Sequence, residues 1–133
     1  MLIVDTSVFV RILKDKGFFD KIKTKITEYK VTSITAYELL RAANYLKLKG
    51  SSRELEILED LLGEIDIVPF TRDDLKFSAS IWAKLKDKGI EVSDAVVMIS
   101  AICLRSKEKL ITLEKDFEHI KEIFSDLELE VLD

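Results

Sequence analysis

The sequence predicts an α/β fold: a three-layer α/β/α sandwich built on a mostly parallel central sheet. Two observations carry that expectation. Short apolar runs of strand length alternate with longer amphipathic stretches, and strands that alternate with helices build parallel sheets covered on both faces. Glycine and proline are sparse, and no Pro/Gly/Ser-rich linker, repeat or low-complexity tract interrupts the pattern. The 133 residues therefore read as one domain, 1–133, long enough to bury a core without staples.

The elements follow in order. LIVD at 2–5 reads as a buried strand, then 6–15 and 18–30 as helices, and 31–34 as a strand. Residues 35–49 read as a helix with Leu39, Ala42, Ala43 and Leu46 along one face. Its start, Thr35-Ala-Tyr-Glu38, matches the capping-box pattern. Residues 52–62 read as a helix and 65–68 as a strand ending at Pro69. Thr71 opens a helix to about Lys88, and Ser93 opens another through Leu104. Lys109 to Thr112 reads as a strand, 115–124 as a helix and 127–132 as the last strand. Gly17, Gly50, Gly63 and Gly89 each follow a helical stretch, three of them directly after a Lys, which is the expected C-terminal signal.

Composition excludes several functions. The formal net charge of −4 argues against binding by bulk positive charge. One Cys and one His leave no internal disulfide and almost no room for a Cys/His zinc site or a histidine-dependent triad. No apolar run approaches the roughly 18 residues of a membrane span. The N-terminus has no basic region ahead of its apolar stretch, which Asp5 breaks, so it does not read as a signal peptide. A cytoplasmic protein without membrane attachment is the expectation.

In open parallel sheets, ligands sit outside the carboxyl ends of the strands. Four acids occupy such places: Asp5 after the first strand, Glu38 after the second, Asp94 in the turn opened by Ser93, and Asp116, with Glu114 beside it, after LIT. Each alone has a capping explanation. Together they would repel by about 4 kcal/mol per pair at 4 Å separation and an effective dielectric near 20. A divalent cation cancels that directly, and all-oxygen ligation suits Mg²⁺ or Mn²⁺. The chemistry this points to is metal-dependent phosphoryl transfer or hydrolysis.

IVDTSVF at 3–9, ITAYELLRA at 34–42, VSDAVVMISA at 92–101 and LITLEKDF at 110–117, in that order and at these spacings, resemble a PIN domain. They resemble in particular the single-domain VapC-type toxin ribonucleases. The resemblance spans essentially the whole chain. It implies an endoribonuclease that cleaves RNA with Mg²⁺ or Mn²⁺, a cognate antitoxin partner and a homodimer. By position, Asp5, Glu38 and Asp94 would be catalytic metal ligands, with Asp116 favoured over Glu114 as the fourth. Ser7 and Thr112 stand where the family has site hydroxyls. An RNA-processing nuclease outside a toxin system, or a PIN-like binding module without turnover, are the alternatives.

A lone Asp5, with no second acid two residues on, does not fit a haloacid-dehalogenase phosphatase. A response-regulator receiver would need an acidic pair there, and no P-loop motif occurs. Met98 and Cys103 read as core, His119 as incidental, and Trp82 as core or interface. Lys14, Lys16, Lys21, Lys23, Lys25 and Lys30 read either as a solvated face or as an RNA-phosphate surface. Arg41 is the single candidate for an RNA contact, or a partner for Glu38.

Overall fold

The computed structural model describes residues 1–133. Five strands, β1 (Leu2–Val4), β2 (Tyr29–Thr32), β3 (Ile67–Val68), β4 (Lys109–Thr112) and β5 (Leu129–Val131), alternate with seven helices. The helices are α1 (Thr6–Lys14), α2 (Lys16–Ile22), α3 (Ser33–Leu48), α4 (Arg53–Leu62), α5 (Arg72–Asp87), α6 (Asp94–Ser106) and α7 (Phe117–Ile123). The strand order is β3-β2-β1-β4-β5, and every pairing is parallel. The predicted α/β class holds.

Strand pleating explains the layers. Successive side chains point to opposite faces of a sheet. Ile3 and Leu110 accordingly enter one core with Ile81, Leu85, Ile99 and Phe117. Their neighbours Val4 and Ile111 enter a second core with Val8, Phe18, Leu39 and Leu58. One core therefore lies on each side of the sheet, and β1 and β4 are apolar on both faces.

From β1 the chain builds β2 and β3 on one side, then crosses to lay down β4 and β5 on the other. The order reverses at β1, so the crevice outside the carboxyl ends of β1 and β4 is where such a fold binds ligands. The Asp5 N–H continues the ladder there, donating to the Ile111 carbonyl at 2.9 Å.

Several local expectations need correction. The helix expected over 18–30 stops at Ile22, and β2 begins at Tyr29 rather than residue 31. Between them only Ile26 is buried, too little to anchor further helical turns. Gly17 does not end a helix but lies inside α2; Asp15 closes α1 and also caps α2, accepting the Phe18 N–H at 3.1 Å. Thr35 is not the cap of α3. Thr32 is, accepting the Thr35 N–H at 3.1 Å, three residues earlier than the pattern suggested. The true capping box joins Thr71 to Asp74 at the start of α5. Gly50 and Gly89 do end helices with positive φ (107° and 73°), whereas Gly63 has an ordinary φ of −73°.

Candidate active site

β1 delivers Asp5 to the crevice, 4% exposed, as the N-cap of α1. Its Oδ2 accepts the Ser7 and Thr112 hydroxyls, each at 2.7 Å, and the Ser7 N–H at 3.4 Å. Those hydroxyls are themselves fixed: Ser7 Oγ accepts the Leu113 N–H at 3.0 Å, and Thr112 Oγ1 accepts the Glu114 N–H at 2.9 Å. Each hydroxyl has one proton. With backbone donors behind them, both protons go to the carboxylate. The other oxygen, Oδ1, accepts no hydrogen bond from the protein.

Glu38 lies on the second turn of α3. Its Oε1 accepts the Thr6 hydroxyl at 2.7 Å, and its Oε2 stands 3.7 Å from the Arg41 guanidinium. Thr6 directly follows Asp5, so two consecutive residues present one carboxylate and hold another. Arg41 thus takes the pairing role expected of it, stacks on the Tyr37 ring at 5.3 Å, and remains exposed.

Asp94 is the first residue of α6 and is exposed; Ser93 caps that helix by accepting the Val96 N–H at 3.2 Å. Asp116 is half-buried at the start of α7 but makes no capping hydrogen bond, and its N–H donates to Glu114 Oε1 at 3.2 Å. The structure brings Asp5 together with Ser7 and Thr112, and Glu38 with Thr6. It shows no contact of Asp94 or Asp116 with either group, and no three acids stand close enough to share an ion. The donor chemistry nonetheless fits a hard divalent cation: Asp5 is a carboxylate nearly removed from water whose Oδ1 has no protein donor, beside an acid held by a neutral hydroxyl.

The lysine run divides. Lys25 and Lys109 pair with Glu130, and Lys30 pairs with Glu108 at 2.6 Å, so part of the run is spent on ion pairs with the β4–β5 side of the sheet. Lys23 pairs with Asp20 at 3.6 Å; Lys14, Lys16 and Lys21 make no ion pair. Cys103 is core, and burial pushes its thiol up and makes it inert. Met98, expected in the core, is only half-buried, as is His119; Trp82, expected as core or interface, is half-exposed.

Two features escaped the sequence. The Thr6, Thr32 and Thr35 hydroxyls cluster beside Glu38, and the only sequence signal was a Thr in each of two motifs. Asp74, 1% exposed, makes a two-point ion pair with Arg105 at 2.7 and 2.9 Å. Burial raises the Asp74 pKa, but the Arg105 guanidinium and the Thr71 N–H and hydroxyl together hold it below its ordinary value.

A doubly wound sheet with a buried acid at its switch point defines a class of α/β protein in which chemistry is assembled at the strand ends. Residues 2–123 match the PIN domain, and the chain belongs to that family. No curated protein matches it. Its fold is similar to that of VapBC-1 from nontypeable Haemophilus influenzae, with a TM-score of 0.80 and 18% identity over 98% of this chain and 96% of that one. VapBC2 from Rickettsia felis, solved bound to a DNA fragment from its promoter, gives 0.79 and 18% over 99% and 98%. VapBC-5 from Mycobacterium tuberculosis, of the VapBC family of toxin–antitoxin systems, gives 0.71 and 19% over 98% and 97%.

Proposed function

We propose that the chain is a metal-dependent endoribonuclease and the toxin of a VapBC-type toxin–antitoxin pair. The observation that carries this is Asp5: buried at the switch point, with one oxygen fully hydrogen-bonded and the other without a protein donor. PIN-family membership and the similarity to VapBC structures support the reading.

Asp5, Glu38, Asp94 and Asp116 would hold Mg²⁺ or Mn²⁺, with Glu114 as a further candidate. When bound, such an ion would make water more acidic and offset the charge that develops on the phosphodiester. Ser7 and Thr112 hold Asp5 fixed, each giving its single proton to Oδ2. The reaction is hydrolytic: a water oxygen bonds to phosphorus as the bond to the leaving oxygen breaks, with no covalent enzyme intermediate. Arg41, exposed beside Glu38, is placed to meet a phosphate of the RNA. An antitoxin and a second copy of the chain are the partners this reading implies. Exposed Tyr37, Tyr45, Leu48, Leu75 and Trp82 offer apolar surface for association.

Asp94→Asn tests the reading. In a variant that keeps the wild-type circular dichroism, Mn²⁺-dependent RNA cleavage should fall by about 100-fold or more. Cleavage at the wild-type rate would overturn the site. Absence of any cleavage by the wild-type chain would leave the PIN domain as a binding module.

A further inference from the structure

We infer that Thr32, Thr35 and Thr6 form a proton-ordered chain of hydroxyls that positions the Glu38 carboxylate. The inference rests on the nuclease reading for its consequence, but its geometry stands independently. Thr6 Oγ1 lies 2.7 Å from Glu38 Oε1 and 2.9 Å from Thr35 Oγ1, and Thr35 Oγ1 lies 3.4 Å from Thr32 Oγ1. Thr32 and Thr35 are fully buried.

Proton counting fixes the direction. An ionised carboxylate only accepts, so the single Thr6 proton goes to Glu38. Thr6 Oγ1 can then only accept from Thr35, which leaves Thr35 Oγ1 to accept from Thr32. Thr32 Oγ1 in turn accepts the Thr35 N–H at 3.1 Å. All three hydroxyl dipoles are therefore aimed the same way, toward Glu38, and each bond polarises the next.

Helix capping does not account for Thr6. Asp5 already caps α1, and the Thr6 hydroxyl spends its proton on a residue 32 positions away. Thr6 is thus a positioning residue, and through the peptide bond it shares with Asp5 it sets the placement of one carboxylate relative to the other. Oε2 is left facing Arg41 and the exposed side of the site.

The test uses the whole chain with carbon-13 in its glutamate carboxyls. Thr6→Val removes the hydroxyl and keeps the shape; Thr6→Ser restores the hydroxyl. In the metal-free protein, Thr6→Val should move the Glu38 carboxyl resonance and speed exchange of the Thr35 hydroxyl proton, and Thr6→Ser should return both. With Mn²⁺ and RNA, Thr6→Val should lower kcat by about 10–100-fold with KM nearly unchanged, and Thr6→Ser should recover most of it. Should Thr6→Val fold poorly, Thr35→Val breaks the next link and should move the same resonance less. A Glu38 resonance that stays put in the folded valine variants, or that serine does not restore, overturns the inference. A resonance that moves while the wild type shows no Mn²⁺-dependent cleavage upholds the positioning and sinks the nuclease reading instead.

Discussion

Single residues show how far local sequence carries. Ser7 and Thr112 were legible because they sit inside short motifs next to Asp5 and the end of LIT. Thr6 was not, because its partners lie 29 and 32 positions away and no periodicity links them. The Asp74–Arg105 pair was invisible for the same reason, with 31 positions between its members. It joins the start of α5 to the end of α6, about 16 Å along α6 from Asp94 at 1.5 Å per residue. Its charge nevertheless matters for folding. The Asp74 pKa is lower in the folded chain than in the unfolded one. The pair therefore contributes stability that is fully present above the unfolded value of about 3.9 and is lost as pH falls through the lower, folded value. Asp74→Asn should cost about 2–3 kcal/mol at pH 7. Urea titrations should show the gap to wild type narrowing below about pH 4, with RNA cleavage at pH 7 unaffected.

At the level of elements, the alternation of strands and helices was readable throughout, because both faces of the sheet demand apolar runs that stand out against charged helices. Boundaries were less so where polar residues fill a connection. Lys23 to Glu28 resembles a solvated helix in composition, yet one buried residue, Ile26, cannot repay the ordering of two more turns. Thr35 and Glu38 matched a capping pattern by chance, while Thr32, at the true helix start, matched none. Glycines sorted by backbone. Gly89 has φ of 73°, and a Cβ there would meet nothing within 4 Å. Gly89→Ala should therefore cost only the left-handed backbone penalty, about 1 kcal/mol or about 4 °C in Tm. Gly63→Ala, at a φ of −73°, should stay within about 2 °C of wild type in the same calorimetry.

Across the whole molecule, charge is divided. Residues 1–50 carry ten basic and five acidic groups, and residues 51–133 carry eleven and twenty. The division is partly internal: Lys25 and Lys30, from the basic part, pair with Glu130 and Glu108, from the acidic part. Fewer basic groups remain unpaired than the sequence count suggested, and of the candidate site acids only Glu38 has a basic partner, Arg41. Divalent ion binding should therefore stabilise the fold. Mn²⁺ at one hundred times its Kd should add about 2.7 kcal/mol, read as a rise in Tm, and Asp5→Asn should abolish that rise.

The hydrogen bond from Thr112 to Asp5 spans 107 residues. At about 5–20 residues per second, a ribosome makes Thr112 roughly 5–20 seconds after Asp5. Throughout that interval β1 lacks its β4 neighbour, Asp5 lacks one of its two hydroxyls, and the loop carrying Glu114 and Asp116 does not yet exist. A nascent chain thus emerges with its strand-end crevice unfinished, and residues 109–116 are what complete it.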